Sequence, residues 1–289
     1  MFKVTWLDSV DSTNSEALRR LGALPSGTVL AAREQTAGRG QRGNTWFSEP
    51  GKNLTFSVVM KFPAGFLAAA NAFVLNCLCS VSVVDFLACY GVNAAVKWPN
   101  DIYVSGRKIC GMLLENGLSE GFVSHSVMGI GINVLQTEFP NLANATSLAL
   151  ALGTGARAAS ASRSDAVDQV QLNPVDQVQQ VATGGPSEPH PLDLVQPLEV
   201  DLVQYLDRFL GFFGGRLAQL NDAAGRRALF AGYESLLYRR GVTARYHDLL
   251  RDEVFDGILR GVEADGRLCV VDSAGVERRY YFKEISYVL

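Results

Sequence analysis

From Val4 to Glu34 the apolar and polar positions spell strand, helix, strand. An apolar start gives way to Asp11-Ser12-Thr13-Asn14-Ser15-Glu16, where Ser12 or Thr13 can accept from free backbone N–H groups and a following Glu suits the first turn. Thr28 to Arg33 then reads as a strand. Asn53 to Lys61 alternates and predicts another strand, and the uncharged run from Phe62 to Val84 predicts a buried helix. Asn93 to Trp98 predicts a strand closed by Pro99-Asn100-Asp101. Ile102–Val104 and Lys108–Glu115 flank Ser105-Gly106-Arg107, a turn signal that predicts a hairpin, and Ser124 to Asn133 is a further strand. Strands that neighbour in sequence, with helices between only some of them, predict an α+β fold on a mixed sheet.

The pattern breaks between Gly153 and Pro197, where small residues precede Val167-Asp168-Gln169-Val170-Gln171 and its echo Val175-Asp176-Gln177-Val178-Gln179. This reads as a low-complexity surface insertion, and no chemistry is assigned to it. Amphipathic helices are expected at Val200–Leu220 and Ala223–Leu236. Beyond Tyr238 short strands broken by Asp265-Gly266 and Ala274-Gly275 predict a small β barrel. The expected division is therefore 1–236 for one domain, carrying the 153–197 insertion, and 237–289 for the barrel.

Composition narrows the function. With 48% hydrophobic and 19% charged residues, the chain can bury a substantial core. A net charge of -3 argues against broad binding to nucleic acid or anionic lipid. Five scattered cysteines suit reduced thiols, and the first residues carry no export signal, so a cytoplasmic protein is expected. The Phe62–Val84 run is long enough for a membrane span, but Pro63, Gly65, Asn71, Asn76, Ser80 and Ser82 favour a core helix.

Three segments carry candidate chemistry. Gly38-Arg39-Gly40-Gln41-Arg42-Gly43 sets fixed cations among glycines whose backbone can approach a phosphate, without the spacing of a Walker loop or a dinucleotide fingerprint. A solvated loop with incidental arginines reads the same residues equally well. Lys97-Trp98-Pro99-Asn100-Asp101, with Lys108 on the returning strand, can serve a phosphate and its Mg²⁺; taken alone, an ordinary turn and an edge charge are the simpler reading. In Gly129-Ile130-Gly131-Ile132-Asn133 the missing side chains can admit a flat ligand, and Asn133 can pair with a heterocycle; close packing is the alternative.

Taken in order, Ser12-Thr13-Asn14, the Gln35 to Gly43 stretch with Trp46, Lys97 to Asp101 with Gly106-Arg107-Lys108 and Gly111, and Gly131-Ile132-Asn133 resemble the catalytic domain of biotin protein ligases. The resemblance implies an α+β domain similar to class II aminoacyl-tRNA synthetases and lipoate ligases, followed by an SH3-like barrel. It implies ATP-dependent adenylation of biotin, release of pyrophosphate, and transfer of biotin to a lysine of a biotin carboxyl carrier protein. By position, Ser12, Thr13 and Gln35 would meet the ureido end of biotin, with Asn14, Gly38 and Gly111 also binding biotin. Arg39 and its loop would close over the ligand, and Trp46 would cover the valeryl chain and adenine. Lys108 would sit between the carboxylate and the α-phosphate. Asn100, Gln41, Arg42, Gly131 and Asn133 would serve ATP, Asn133 by reading adenine. Asp101 would lie near Mg²⁺, which is held mainly by the ATP phosphates.

Two departures stand out. Gln41 occupies a place where many members have arginine, which shifts adenylate retention onto Arg39 and Arg42, and Val288 stands where some carry arginine. The motifs begin at once, so a dedicated ligase without a DNA-binding domain is expected, binding neither nucleic acid nor membrane. Side-by-side homodimers occur in that family, and no interface is legible here. A lipoate or other acyl-protein ligase is the nearest rival, and a non-catalytic biotin sensor the next; Arg39, Arg42 and Lys108 count against the sensor.

Overall fold

The computed structural model describes residues 2–140, 142, 144–153 and 201–288, without the side chain of Arg42. From residue 154 onward the expected insertion lies outside the described residues. The chain runs β1 (Lys3–Val10), α1 (Thr13–Arg19), β2 (Thr28–Gln35), β3 (Asn53–Lys61), α2 (Phe73–Ala88), β4 (Ala95–Lys97), β5 (Asp101–Val104), β6 (Arg107–Ser119) and β7 (Phe122–Asn133). After the undescribed segment come α3 (Leu202–Leu217), α4 (Ala223–Ser235) and β8 (Thr243–Asp248), β9 (Glu253–Val262), β10 (Leu268–Asp272), β11 (Glu277–Tyr280) and β12 (Ile285–Tyr287).

β1 to β7 form one sheet in the order β1-β2-β3-β7-β6-β5-β4, with β1 and β2 parallel and the other pairs antiparallel. This is the expected mixed α+β sheet. Cross-strand partners share a face. Lys97, Asp101, Gly111, Gly131, Thr55 and Ala32 therefore form one row across six strands, and Leu113, Gly129, Ser57 and Leu30 form the next. α1 packs on this same face through Ala17 against Leu30, Val59 and Val127.

The opposite face carries the main core. α2 is apolar all round and buried under α3 and α4, with Phe86 against Tyr90, Tyr205 and Phe209, and Phe209 against Phe56 of the sheet. The segment Ala69–Ala88 is long and apolar enough to cross a membrane, yet 72% of its most apolar 18-residue stretch is buried inside this fold. The helix starts later than the sequence pattern suggests. Pro63 and Gly65 (φ 77°) turn the chain, and Ala69–Asn71 forms a single 3-10 turn before α2.

The β5–β6 hairpin turns on Ser105 and Gly106, both at positive φ, the geometry of a two-residue type I′ turn. Three residues past that turn, Ile109 is an extra residue: Ile102 pairs with Cys110 but Tyr103 pairs with Lys108. This β-bulge reverses the alternation of β6, so Lys108 and Gly111, three apart, lie on one face.

β8 to β12 form an antiparallel sheet in the order β11-β10-β9-β8-β12. Laid flat, β11 and β12 would stand about 19 Å apart and β11 and β8 about 14 Å. Residues 281–284 nonetheless join β11 to β12 in one turn, and the Tyr280 hydroxyl reaches Asp248 of β8 at 2.9 Å. The sheet is therefore curled into an SH3-like barrel. Burial opposes ionisation of Asp248, but Tyr280 and the N–H groups of Leu250 and Arg251 hold its carboxyl below the ordinary range. The Trp98 indole N–H donates to the Gly266 carbonyl at 2.9 Å and the ring meets Phe282 edge-on, tying the barrel to the end of β4. All five cysteines are free, and Cys77, Cys79 and Cys110 are buried.

Phe86 has no exposure and three aromatic neighbours. Phe86→Ala should cost about 3–5 kcal/mol of unfolding free energy, read as a lowered urea midpoint at an unchanged slope.

Candidate active site

The row of small and polar residues on the α1 face floors a cavity of about 360 Å³. Its far wall comes from the barrel, through Phe282, Ile285, Ser286 and Tyr287. Of the residues singled out from the sequence, Ser12, Thr13, Asn14, Gln35, Arg39, Gln41, Trp46, Asn100, Asp101, Lys108, Gly111 and Gly131 all border it. Gly38 and Asn133 do not. Arg42 belongs to the 3-10 turn Gln41–Gly43, and its side chain lies outside the described residues.

At one end the first turn of α1 supplies neutral polar groups. Ser12 caps the helix by accepting from Ser15 N–H. The Thr13 N–H donates to Gln35 Oε1 at 2.8 Å, and the Thr13 hydroxyl lies 3.2 Å from the same oxygen. Ser57 Oγ lies 2.8 Å from Thr13 Oγ1 and 2.6 Å from Asn14 Oδ1. Asn14 fits because position 129 is glycine: a Cβ there would sit 2.2 Å from Asn14 Oδ1.

At the other end the groups are charged. Lys108 Nζ pairs with Asp101 at 2.7 Å and lies 5.8 Å from the centre of the Trp46 ring. The bulge at Ile109 is what turns Lys108 to this face. Lys97 Nζ donates to the Tyr103 hydroxyl at 3.0 Å and faces the rings of Tyr103 and Tyr287. Burial pushes the Lys97 ammonium below its ordinary range; nearby Asp101 opposes this and Lys108 adds to it. Asn100 spends its amide on the Met112 carbonyl, so it fixes the start of β5 while bordering the cavity.

The glycine-rich segment is a small hairpin. Trp46 N–H donates to Gly38 O at 2.9 Å and Gly40 N–H to Asn44 O at 2.7 Å. A Cβ at Gly38 would meet the Trp46 carbonyl at 2.3 Å, so Gly38 permits the turn without facing the cavity. Arg39 pairs with Glu115 of β6 at 2.8 Å. The Trp46 indole lies on the facing pair Gly111 and Gly131, where an added Cβ would come within 3.0 and 2.4 Å of the ring. The open strip expected along β7 is thus occupied by the chain's own indole.

Asn133 is buried, donates to Thr146 O at 2.9 Å, and leaves Oδ1 without a partner. Gln41 Oε1 and the Trp46 N–H are likewise buried and unpaired. Among the described residues no cluster of three His, Cys, Asp or Glu could hold a metal, and Asp101 is the one carboxylate on the cavity wall. These residues do not form a protein metal site.

Ser57, Glu115 and the barrel residues escape sequence reasoning. Ser57 and Glu115 are polar positions within largely apolar stretches of β3 and β6, a signal that becomes specific only once register puts them beside Asn14.

Residues 6–133 match the model of the biotin/lipoate A/B protein ligase family. Over 132 residues it is 39% identical to the bifunctional ligase/repressor of Escherichia coli, covering 45% of this chain and 40% of that protein. Over 128 residues it is 37% identical to the biotin–[acetyl-CoA-carboxylase] ligase of Paracoccus denitrificans, covering 44% of this chain and 53% of that one. The matches thus span about half the length of these relatives or less. The fold is similar to a biotin protein ligase from Aquifex aeolicus solved with biotin and ATP, at a TM-score of 0.67 and 24% identity over 99% of this chain and 98% of that one.

Gly131→Ala should expel the Trp46 indole and red-shift its fluorescence while the fold persists. A Trp46→Phe background should abolish the shift, and an unshifted spectrum in Gly131→Ala would mean that the ring does not need the space.

Proposed function

We propose, on the premise that residues 6–133 form a biotin/lipoate A/B protein ligase domain, that this chain is a biotin protein ligase. It would adenylate biotin with ATP and then transfer biotin to a lysine of a biotin carboxyl carrier protein. The observation that carries the reading is one cavity with a neutral hydrogen-bonding end at Thr13, Asn14 and Gln35 and a cationic end at Lys97 and Lys108. A ureido heterocycle with a carboxylate tail needs both. The apolar dithiolane of lipoate would leave the polar end unpaired, at a cost. Residues 1–236 are read as the catalytic part and 237–289 as the barrel, and the free cysteines suit the cytoplasm.

In the first step a biotin carboxylate oxygen attacks the α-phosphorus of ATP, and the bond from that phosphorus to the bridging oxygen breaks as pyrophosphate leaves. Two anions must meet, so cations dominate the chemistry. Lys108, released from Asp101, neutralises charge at the α-phosphate, and Arg39 and Arg42 supply more from the loop. Mg²⁺ enters with the ATP phosphates as part of the substrate, with Asp101 as the nearby carboxylate. Asn133 Oδ1 is an unpaired acceptor suited to the amino group of adenine, but it lies off the cavity wall, so adenine would reach it only after the neighbouring side chains shift.

The product is a mixed anhydride that water would hydrolyse, and the Gly38–Trp46 hairpin covers it. In the second step the neutral lysine amine of the carrier attacks the acyl carbon; the bond to AMP breaks and the amine loses a proton.

Incubation with ATP, an acceptor domain and radiolabelled biotin or lipoate tests the reading: label from biotin should become protein-bound, and label from lipoate alone would overturn it. Lys108→Ala should lower biotin-dependent pyrophosphate release about a hundredfold, equivalent to about 3 kcal/mol of transition-state stabilisation, while the protein stays folded. Arg39→Gly should release free biotinyl-adenylate; equal retention of the labelled intermediate in mutant and parent would remove the loop's gating role.

A further inference from the structure

We infer that Glu115 is a positioning residue that sets both the pose of the Arg39 hairpin and the hydrogen-bond direction at the polar end of the cavity. The inference rests on the ligase reading above. Glu115 follows Gly111 and Leu113 on the same face of β6, beside the cavity rather than on its wall. Three N–H groups converge on its two oxygens: Arg39 Nη2 at 2.8 Å, Arg39 Nη1 at 3.2 Å, and Asn14 Nδ2 at 2.9 Å.

An ionised carboxylate can only accept. The Asn14 amide must therefore turn its nitrogen outward, and its second N–H goes to Leu113 O at 3.0 Å. Asn14 Oδ1 is then obliged to accept, which commits the single Ser57 proton to it. Ser57 Oγ faces Thr13 with lone pairs alone, and Gln35, whose Oε1 already accepts from Thr13 N–H, presents its amide nitrogen as a donor. This partly exposed carboxylate thus decides that Asn14 Oδ1 receives and Ser57 gives, while the Thr13 N–H orients Gln35. A ureido group, with one carbonyl and two N–H groups, discriminates between such arrangements. The same carboxylate holds Arg39, and with it the hairpin that carries Trp46.

Glu115→Gln keeps the shape and removes one acceptor and the charge. Three donors then compete for one oxygen, so either Arg39 or Asn14 is left unpaired. In the full-length protein, biotin-dependent ATP–pyrophosphate exchange should show the biotin KM raised about tenfold, the size expected for loss of a charge-assisted hydrogen bond. The KM for ATP should change less than about twofold and kcat, which draws on Arg39 held by this carboxylate, should fall less than the biotin KM rises; Glu115→Asp should recover most of the loss. An unchanged biotin KM overturns the inference. So does a parallel rise in both KM values with a lowered melting temperature that Glu115→Asp fails to restore, the mark of a merely structural carboxylate. Parent protein that exchanges only with lipoate would sink the ligase reading instead, and the same comparison with lipoate would then decide Glu115.

Discussion

One extra residue in β6 governs the geometry of the cavity. In a regular strand Lys108 and Gly111, being three apart, would point to opposite faces. Ile109 is inserted between them, fully buried, and the alternation resets. Lys108 consequently joins Asp101 and Gly111 over the cavity, while Cys110 stays with the α2 core. Bulges concentrate where a strand must re-aim a side chain, and here the re-aimed group is a cation that would otherwise be buried among aliphatic residues at heavy cost.

Around that constraint the two sheet faces divide their labour. The face under α2, α3 and α4 is packed with aromatic and aliphatic side chains and supplies rigidity. The other face is held open by glycine at 111, 129 and 131, and α1 covers only its Leu30, Val59 and Val127 end. The barrel completes the enclosure from the side, held by Trp98 on Gly266 and Phe282. Chain segments far apart in sequence thus meet at one cavity, and none of them could form it alone.

Much of this was legible in the sequence, for identifiable reasons. β3 and α1 follow from the alternation of Asn53 to Val58 and a Ser12 cap, and the motifs from Ser12 to Lys108 led to a shared site because each pairs glycine or a turn with a polar group. The late start of α2 was hidden by a run of apolar residues whose Pro63 and Gly65 outweigh hydrophobicity. The bulge was invisible, because a one-residue insertion leaves no mark on a pattern read one strand at a time. Glycine in β7 was readable as space but not as space already filled. Ser57, Glu115 and the wall formed by Phe282 to Tyr287 depend on tertiary register, which local pattern does not encode.

That filled space has a consequence for solution behaviour. A bare, flat slot between Gly111 and Gly131 would be an adhesive patch, open to any passing aromatic surface. By laying its own indole there, the chain plugs the slot, at the expense of a buried N–H without a partner. Entry of a flat guest becomes a swap of one ring contact for another, with little net change in wetted area. Tightness of binding must then come from the polar atoms at either end, and greasy molecules that match the slot in shape alone are turned away.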